Sequence, residues 1–156
     1  MNKNELIMES EIGNIRIVSN EGKICEISYC EAKLKESNEG ILLEAKKQLE
    51  EYFRGKRKRF SLPIKIEGTD FQLAVWKATM DIPYGEICTY QDLALRIGKG
   101  NAQRAVGMAL NRNPIAIVIP CHRIVGKNKK LIGYAGGVDK KAYLLEVEGV
   151  FGEEVL

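Results

Sequence analysis

Three stretches near the start of the chain carry the pattern of a sheet. Leu6-Ile7-Met8 is a short apolar run, and Asn14-Ile15-Arg16-Ile17-Val18 alternates apolar with polar. Ile24-Cys25-Glu26-Ile27-Ser28-Tyr29 reads the same way. A period of two predicts strands with one buried face. Gly13-Asn14 and Asn20-Glu21-Gly22 supply turn residues between them, so an antiparallel meander is expected. From Glu39 to Phe53 the period changes. Ile41, Leu42, Ala45, Leu49, Tyr52 and Phe53 recur at helical spacing, and Gly55 marks the stop. Phe60–Ile66 reads as extended, with Pro63 inside it. The pattern breaks near Pro63–Gly68, which divides the chain into an expected scaffold domain, 1–66, and a second domain, 67–156.

The second part reads as mostly helical. Thr69 and Gln72 have capping-box spacing ahead of a helix through about Met80 that turns Phe71, Val75 and Trp76 inward. Ile82-Pro83-Tyr84-Gly85-Glu86 is a turn. Thr89 caps a helix that runs to Arg96-Ile97 and stops at Gly98, and a further helix covers Ala102–Leu110. Two short helices around a glycine-containing turn have the outline of a helix-turn-helix. The second is rich in small residues, so it can approach another surface closely, and Arg104 lies in its first turn. Asn111-Arg112-Asn113-Pro114 breaks it. A near-continuous apolar run, Ile115–Ile119, follows and reads as a buried strand or extended segment. Asp139 is expected to cap a last helix, Lys140–Val147, and Val150–Leu156 to fray. The fold class is therefore α+β: an antiparallel sheet with a helix, then a mostly helical domain with a helix-turn-helix.

Composition narrows the class. With 156 residues, 45% hydrophobic and 29% charged, the chain is globular and not a disordered tail. No apolar run is long enough to span a membrane, and Met1-Asn2-Lys3-Asn4-Glu5 does not open a signal peptide. A cytoplasmic protein is expected, at the nucleoid if the source is prokaryotic. The net charge of +3 is modest, but its distribution is uneven. Between Asp92 and Asp139 there is no acidic residue, while Arg96, Lys99, Arg104, Arg112, Arg123, Lys127, Lys129 and Lys130 fall in that interval. A polyanion is the natural partner of such a stretch, and a solvated basic face is the competing explanation.

The candidate chemistry sits where the apolar run ends in Pro120-Cys121-His122-Arg123. Pro120 restricts the backbone just before a sulfur, and polar groups follow at once. A thiol that must be fixed and ionised uses such neighbours. Cys25, Cys30, Cys88 and Cys121 form no CxxC pair, so free thiols are expected. His122 is the single histidine, which argues against a zinc site. A cysteine hydrolase needs a histidine that reaches the sulfur directly, and adjacent residues of an extended segment point apart. Thiol–disulfide chemistry lacks an adjacent resolving cysteine. What remains is a lone nucleophilic thiolate beside a DNA-binding helix pair, which suggests a thiol acting on a nucleic-acid base.

The second part resembles the O6-alkylguanine-DNA alkyltransferases. The similarity rests on Thr69-Asp70-Phe71-Gln72 with Val75-Trp76, Ile82-Pro83-Tyr84-Gly85, Tyr90 and Arg104-Ala105-Val106-Gly107. It continues through Asn113-Pro114, Ile119-Pro120-Cys121-His122-Arg123, Gly133-Tyr134 with Gly136-Gly137, and Glu148-Gly149. The first part resembles the family only in length and layout. The resemblance implies that Cys121 is the alkyl acceptor and that His122, backed by Glu148, draws off the thiol proton through a water. It implies that Asn113 braces the active-site turn and that Tyr90 donates toward guanine N3. Arg104 is the implied finger that enters the duplex, with Ala105, Gly107, Arg112 and Arg123 as further DNA contacts. Tyr134, Ala135, Ile124, Ala116 and Gly136 are the implied base pocket. Some members have Pro where this chain has Ala116 and Ser where it has Ala135, which bears on pocket shape.

The function implied is direct repair of double-stranded DNA: one irreversible transfer of an alkyl group from O6-alkylguanine to Cys121, with no cofactor and no metal. O4-alkylthymine is a candidate second substrate. A monomer is expected, with cooperative assembly on DNA left open. The rival is an alkylated-DNA sensor that accepts no group, and Cys121 argues against it. A thiol-redox or thiol-hydrolase enzyme is a third, weaker reading.

Overall fold

The structure, a computed structural model, describes residues 3–150. The expected fraying of the tail beyond Val150 lies outside the described residues. The chain groups into two compact units. One reaches to Ile66 and also holds Pro114–Ala116; the other spans Glu67–Asn113 and resumes at Ile117.

The first unit is the expected meander with a helix on one face. Strands β1 (Lys3–Met8), β2 (Asn14–Asn20) and β3 (Lys23–Cys30) are antiparallel neighbours in that order. Ile15 and Ile17 turn inward from β2, and Ile24 and Ile27 from β3. Ile24 and Ile27 are three apart, which a strict period of two cannot place on one face. A register shift between Val18 and Ser19 resolves this. Glu26 faces Val18 and Ile24 faces Ser19, so Cys25 is the extra residue of a bulge. Helix α1 (Gly40–Phe53) covers the sheet with Leu42, Ala45, Leu49 and Tyr52. Its end closes through Gly55 at φ 74°, with the Lys56 amide bound to the Glu51 carbonyl at 2.8 Å. Beyond it, Phe60–Ile66 meets the sheet at a single bridge, Ile64 beside Ile24.

The second unit is helical, with one small parallel ladder. Helix α2 (Asp70–Met80) begins at a complete capping box between Thr69 and Gln72. Strand β4 (Cys88–Thr89) leads into α3 (Tyr90–Arg96), whose Thr89 cap accepts from the Asp92 amide. Gly98 at φ 73° turns the chain toward α4 (Gln103–Asn111). Helices α2, α3 and α4 pack on one another. Trp76 of α2 donates its indole N–H to the Ala109 carbonyl of α4 at 2.9 Å, a buried tie. Strand β5 (Ile124–Val125) pairs in parallel with β4. Helix α5 (Val138–Val147) starts earlier than expected: Gly137 is its N-cap, and Asp139 lies within its first turn. No described helix is long and apolar enough to cross a membrane.

The apolar run 115–119 is not a continuous strand. Ile115 makes one bridge, to Ile27, and Ile117 then takes φ 72° at a turn. A β-branched residue in the left-handed region is strained, and such strain collects at functional sites. Ile115, Ile117 and Ile119 stay buried, so burial persists where the strand does not.

Candidate active site

The sulfur of Cys121 is set by a sequence of tight turns. Pro120 sits at φ −81° and ψ 62°, the geometry of an inverse γ-turn. The Cys121 amide closes it on the Ile119 carbonyl at 2.8 Å. A short 3-10 turn, Cys121–Arg123, follows, so Cys121 and His122 are not neighbours in an extended segment. The Asn113 side-chain amide donates to the Ile119 carbonyl at 2.8 Å and to the Cys121 sulfur at 3.1 Å. One side chain thereby fixes both the turn and the nucleophile. Cys121 is only 7% exposed. Burial pushes its thiol above the ordinary value, and the Asn113 bond and the Lys141 charge pull it back only in part. The resting group is a thiol that needs a base.

His122 is fully buried, and its Nε2 lies 2.6 Å from the Glu148 carboxylate. Arg123 holds the same carboxylate in a fork, Nε to Oε1 at 2.8 Å and Nη2 to Oε2 at 3.0 Å. The Gly85 amide adds a fourth bond to Oε1 at 3.1 Å. Burial alone raises the Glu148 carboxyl, but His122 and then Arg123 outweigh it and hold it at about 2. Burial also drives His122 below its ordinary value, against the pull of Glu148. We take His122 as neutral, because Arg123 already balances the carboxylate charge. An ionised carboxylate accepts, so Nε2 carries the proton and the lone pair rests on Nδ1.

Arg123, expected as a DNA contact, is buried. Its guanidinium is committed to Glu148 and, through Nη1, to the Ile82 carbonyl at 2.6 Å, and it lies over the Tyr84 ring. The turn Ile82–Gly85 thus cradles the carboxylate and its counter-ion.

Tyr90, at the start of α3, donates its hydroxyl to the Ile132 carbonyl at 2.8 Å. Burial, with the Cys121 charge adding to it, pushes this phenol up to about 12, so it remains a proton donor. Gly133 sits at φ 61°, and a Cβ there would meet the Tyr90 hydroxyl oxygen at 3.2 Å. The positive φ and the close approach favour glycine. Lys141 of α5 donates to the Ile132 and Gly133 carbonyls at 2.8 and 3.1 Å.

A cleft of about 920 Å3 runs between α4 and the 126–133 loop, lined by Tyr90, Arg104, Gly107, Met108, Lys127 and Gly133 among others. Arg104, Ala105 and Arg112 are exposed. Met108 is 60% exposed on the same helix face as Arg104. Tyr134, Ala135, Ile124, Ala116 and Gly136 do not line this cleft. Ile124 and Tyr134 are buried, Ala135 is exposed and Gly136 half-buried. Ala116 belongs to the first unit, its amide on the Ile27 carbonyl at 2.9 Å. Among the described residues no group of histidine, cysteine or acidic side chains is placed to hold a metal.

Sequence reading missed Lys141, Gly85 and Met108. Lys141 sits in an unremarkable Lys140-Lys141 pair, and nothing local separates the buried lysine from its neighbour.

Residues 70–150 match the model of the 6-O-methylguanine DNA methyltransferase, DNA binding domain. Residues 5–66 match the ribonuclease-like domain of the same family. A methylated-DNA–protein-cysteine methyltransferase of Methanosarcina barkeri is 48% identical over 149 residues, covering 91% of this chain and 94% of the relative. The solved O6-methylguanine methyltransferase of Mycobacterium tuberculosis is 38% identical, with a TM-score of 0.85, covering 94% of this chain and 92% of that one. The OGT of the same organism, solved in complex with DNA, gives the same score over 93% and 92%. The buried thiol, its carboxylate-backed histidine and the helix pair beside them lie within a match that spans both parts of the sequence, and the chain belongs to the 6-O-methylguanine DNA methyltransferase family.

Proposed function

We propose that this chain repairs O6-alkylguanine in double-stranded DNA by one irreversible transfer of the alkyl group to Cys121. The observation that carries the reading is a single thiol, held by Asn113 beside a buried Glu148–His122 pair. Residues 67–156 serve as the DNA-binding and acceptor domain and residues 1–66 as its scaffold. The chain acts as a monomer in the cytoplasm.

The chemistry follows from the geometry. A damaged base pairs poorly, so extruding it costs at most about a few kcal/mol. Arg104, exposed in the first turn of α4, fills the gap it leaves. His122 takes the Cys121 proton at Nδ1 through a water. Glu148 stabilises the imidazolium that results. The sulfur lone pair forms the S–C bond as the C–O6 bond breaks, and the electron pair leaves on the purine. Tyr90, a phenol across the working pH range, exchanges its Ile132 carbonyl for purine N3 and donates there. A thioether has no good leaving group, so the chain acts once and needs no cofactor.

The test is a titration of O6-methylguanine duplex with chain. Methyl loss from DNA should saturate at one per chain, and Cys121→Ala should abolish it. Tight binding with no loss would instead make the chain a damage sensor.

A further inference from the structure

Two large apolar side chains stand in water on one cleft. Met108 is 60% exposed and Ile132 50%, and both line the space between α4 and the 126–133 loop. Arg104 and Lys127 line it too, and among its described lining residues none is acidic. Met108 follows Arg104 by one helical turn, so the two share a face of α4. Between them α4 comes close to Tyr90: a Cβ on Gly107 would meet the Tyr90 ring at 3.8 Å. Ile132 is pinned in place. A Cβ on Gly126 would stand 2.8 Å from its Cδ1, and its carbonyl accepts from Tyr90 and from Lys141, each at 2.8 Å. A firmly held apolar wall inside a basic cleft fits a ligand that is anionic overall and apolar in part.

A DNA duplex offers three kinds of apolar surface. Thymine methyls would tie repair to the neighbouring sequence. Base faces would need a second unstacked step beyond the one that Arg104 fills, at further cost. Sugars recur at every nucleotide, whatever the sequence, and lie beside the phosphates that Arg104 and Lys127 attract.

We propose that Met108 is a specificity-determining residue: with Ile132 it forms a wall that packs on deoxyribose and selects DNA strands over RNA strands. This deepens the reading of duplex DNA as the substrate and rests on it. RNA differs at that sugar by the 2′-hydroxyl, a donor and acceptor. Pressed against Met108 and Ile132, the hydroxyl loses its water and gains no hydrogen-bond partner. Ribose is penalised with no base being read.

The test compares two duplexes of one sequence, each with one O6-methylguanine. One is all DNA, and the other carries ribonucleotides in the steps that flank the lesion. Kd is read by fluorescence anisotropy on the full chain carrying Cys121→Ser, so that no transfer intervenes. With Met108 present, the all-DNA duplex should bind about tenfold more tightly. Met108→Gln gives the hydroxyl a partner and should bring the ratio close to one. Met108→Leu keeps the apolar contact and should keep the ratio. The substrates are the same throughout, so any difference in duplex shape cancels between variants. Met108 is exposed, so neither replacement disturbs a core. A Gln variant with the unaltered ratio overturns the proposal, and so does a chain with Met108 that binds both duplexes equally. Failure of the alkyl-transfer reading would show separately, as no methyl transfer from the all-DNA duplex to the wild-type chain.

Discussion

At the scale of single residues, the site depends on a charge network that is nearly closed. Glu148 accepts four hydrogen bonds from three partners, His122, Arg123 and Gly85. Glu148→Gln leaves Arg123 buried without its counter-charge, so stability should fall by about 3–5 kcal/mol in urea unfolding. The Cys121 thiol should also become less reactive, because the imidazolium loses its support. The sign with pH follows from the depressed carboxyl at about 2. A group whose folded value lies below its unfolded value stabilises the fold above the unfolded value. That contribution should be intact above about pH 5. It should fade as pH drops toward 2, and the Glu148→Gln variant should lose this part of its acid sensitivity. Asn113→Ala should remove a donor from both the sulfur and the Ile119 carbonyl. A loss of about 1–3 kcal/mol is expected, with a thiol harder to ionise.

At the scale of elements, what the sequence made legible was what is local. The Thr69–Gln72 capping box spans one helical turn, and both of its bonds are present. The helical period of α1 and the turn at Gly98 are equally local. The buried strand or extended segment expected over 115–119 is interrupted at Ile117, because burial without period looks the same in a strand and in a packed turn. Ile117 is held at φ 72° by tertiary context that no window of neighbours contains. The ion pair of Arg123 was hidden for a related reason. A basic residue in an acid-free interval looks solvated until its carboxylate, 25 positions away, folds onto it. Helix α4 is positioned by the buried Trp76–Ala109 bond. Trp76→Phe should cost about 1–3 kcal/mol and weaken duplex binding through α4. Arg104→Ala, at the exposed start of α4, should slow repair of duplex DNA strongly while leaving reaction with free O6-benzylguanine unchanged. Equal rates on duplex would remove the finger role.

For the whole molecule, charge distribution and site belong together. The interval without acids contains α4, the nucleophile and the exposed Lys127, Lys129 and Lys130 of the 126–133 loop. Affinity for duplex should fall steeply with salt, and replacing Lys129 and Lys130 by Gln should flatten that slope by about one for each phosphate no longer neutralised. Sequence made the partner legible through this asymmetry, and it made the nucleophile legible through a lone Cys-His pair. It left the buried ion pair unassigned, since Glu148 and Arg123 are joined by folding alone.

The central claim is that Cys121 itself receives the alkyl group. Peptide mapping by mass spectrometry, after reaction with a duplex carrying one O6-methylguanine, tests it most directly. The account predicts one methyl on the Cys121 peptide, at no more than one per chain, and none on the peptides of Cys25, Cys30 or Cys88. A methyl on another residue, or an unmodified chain that still binds the duplex, would contradict it.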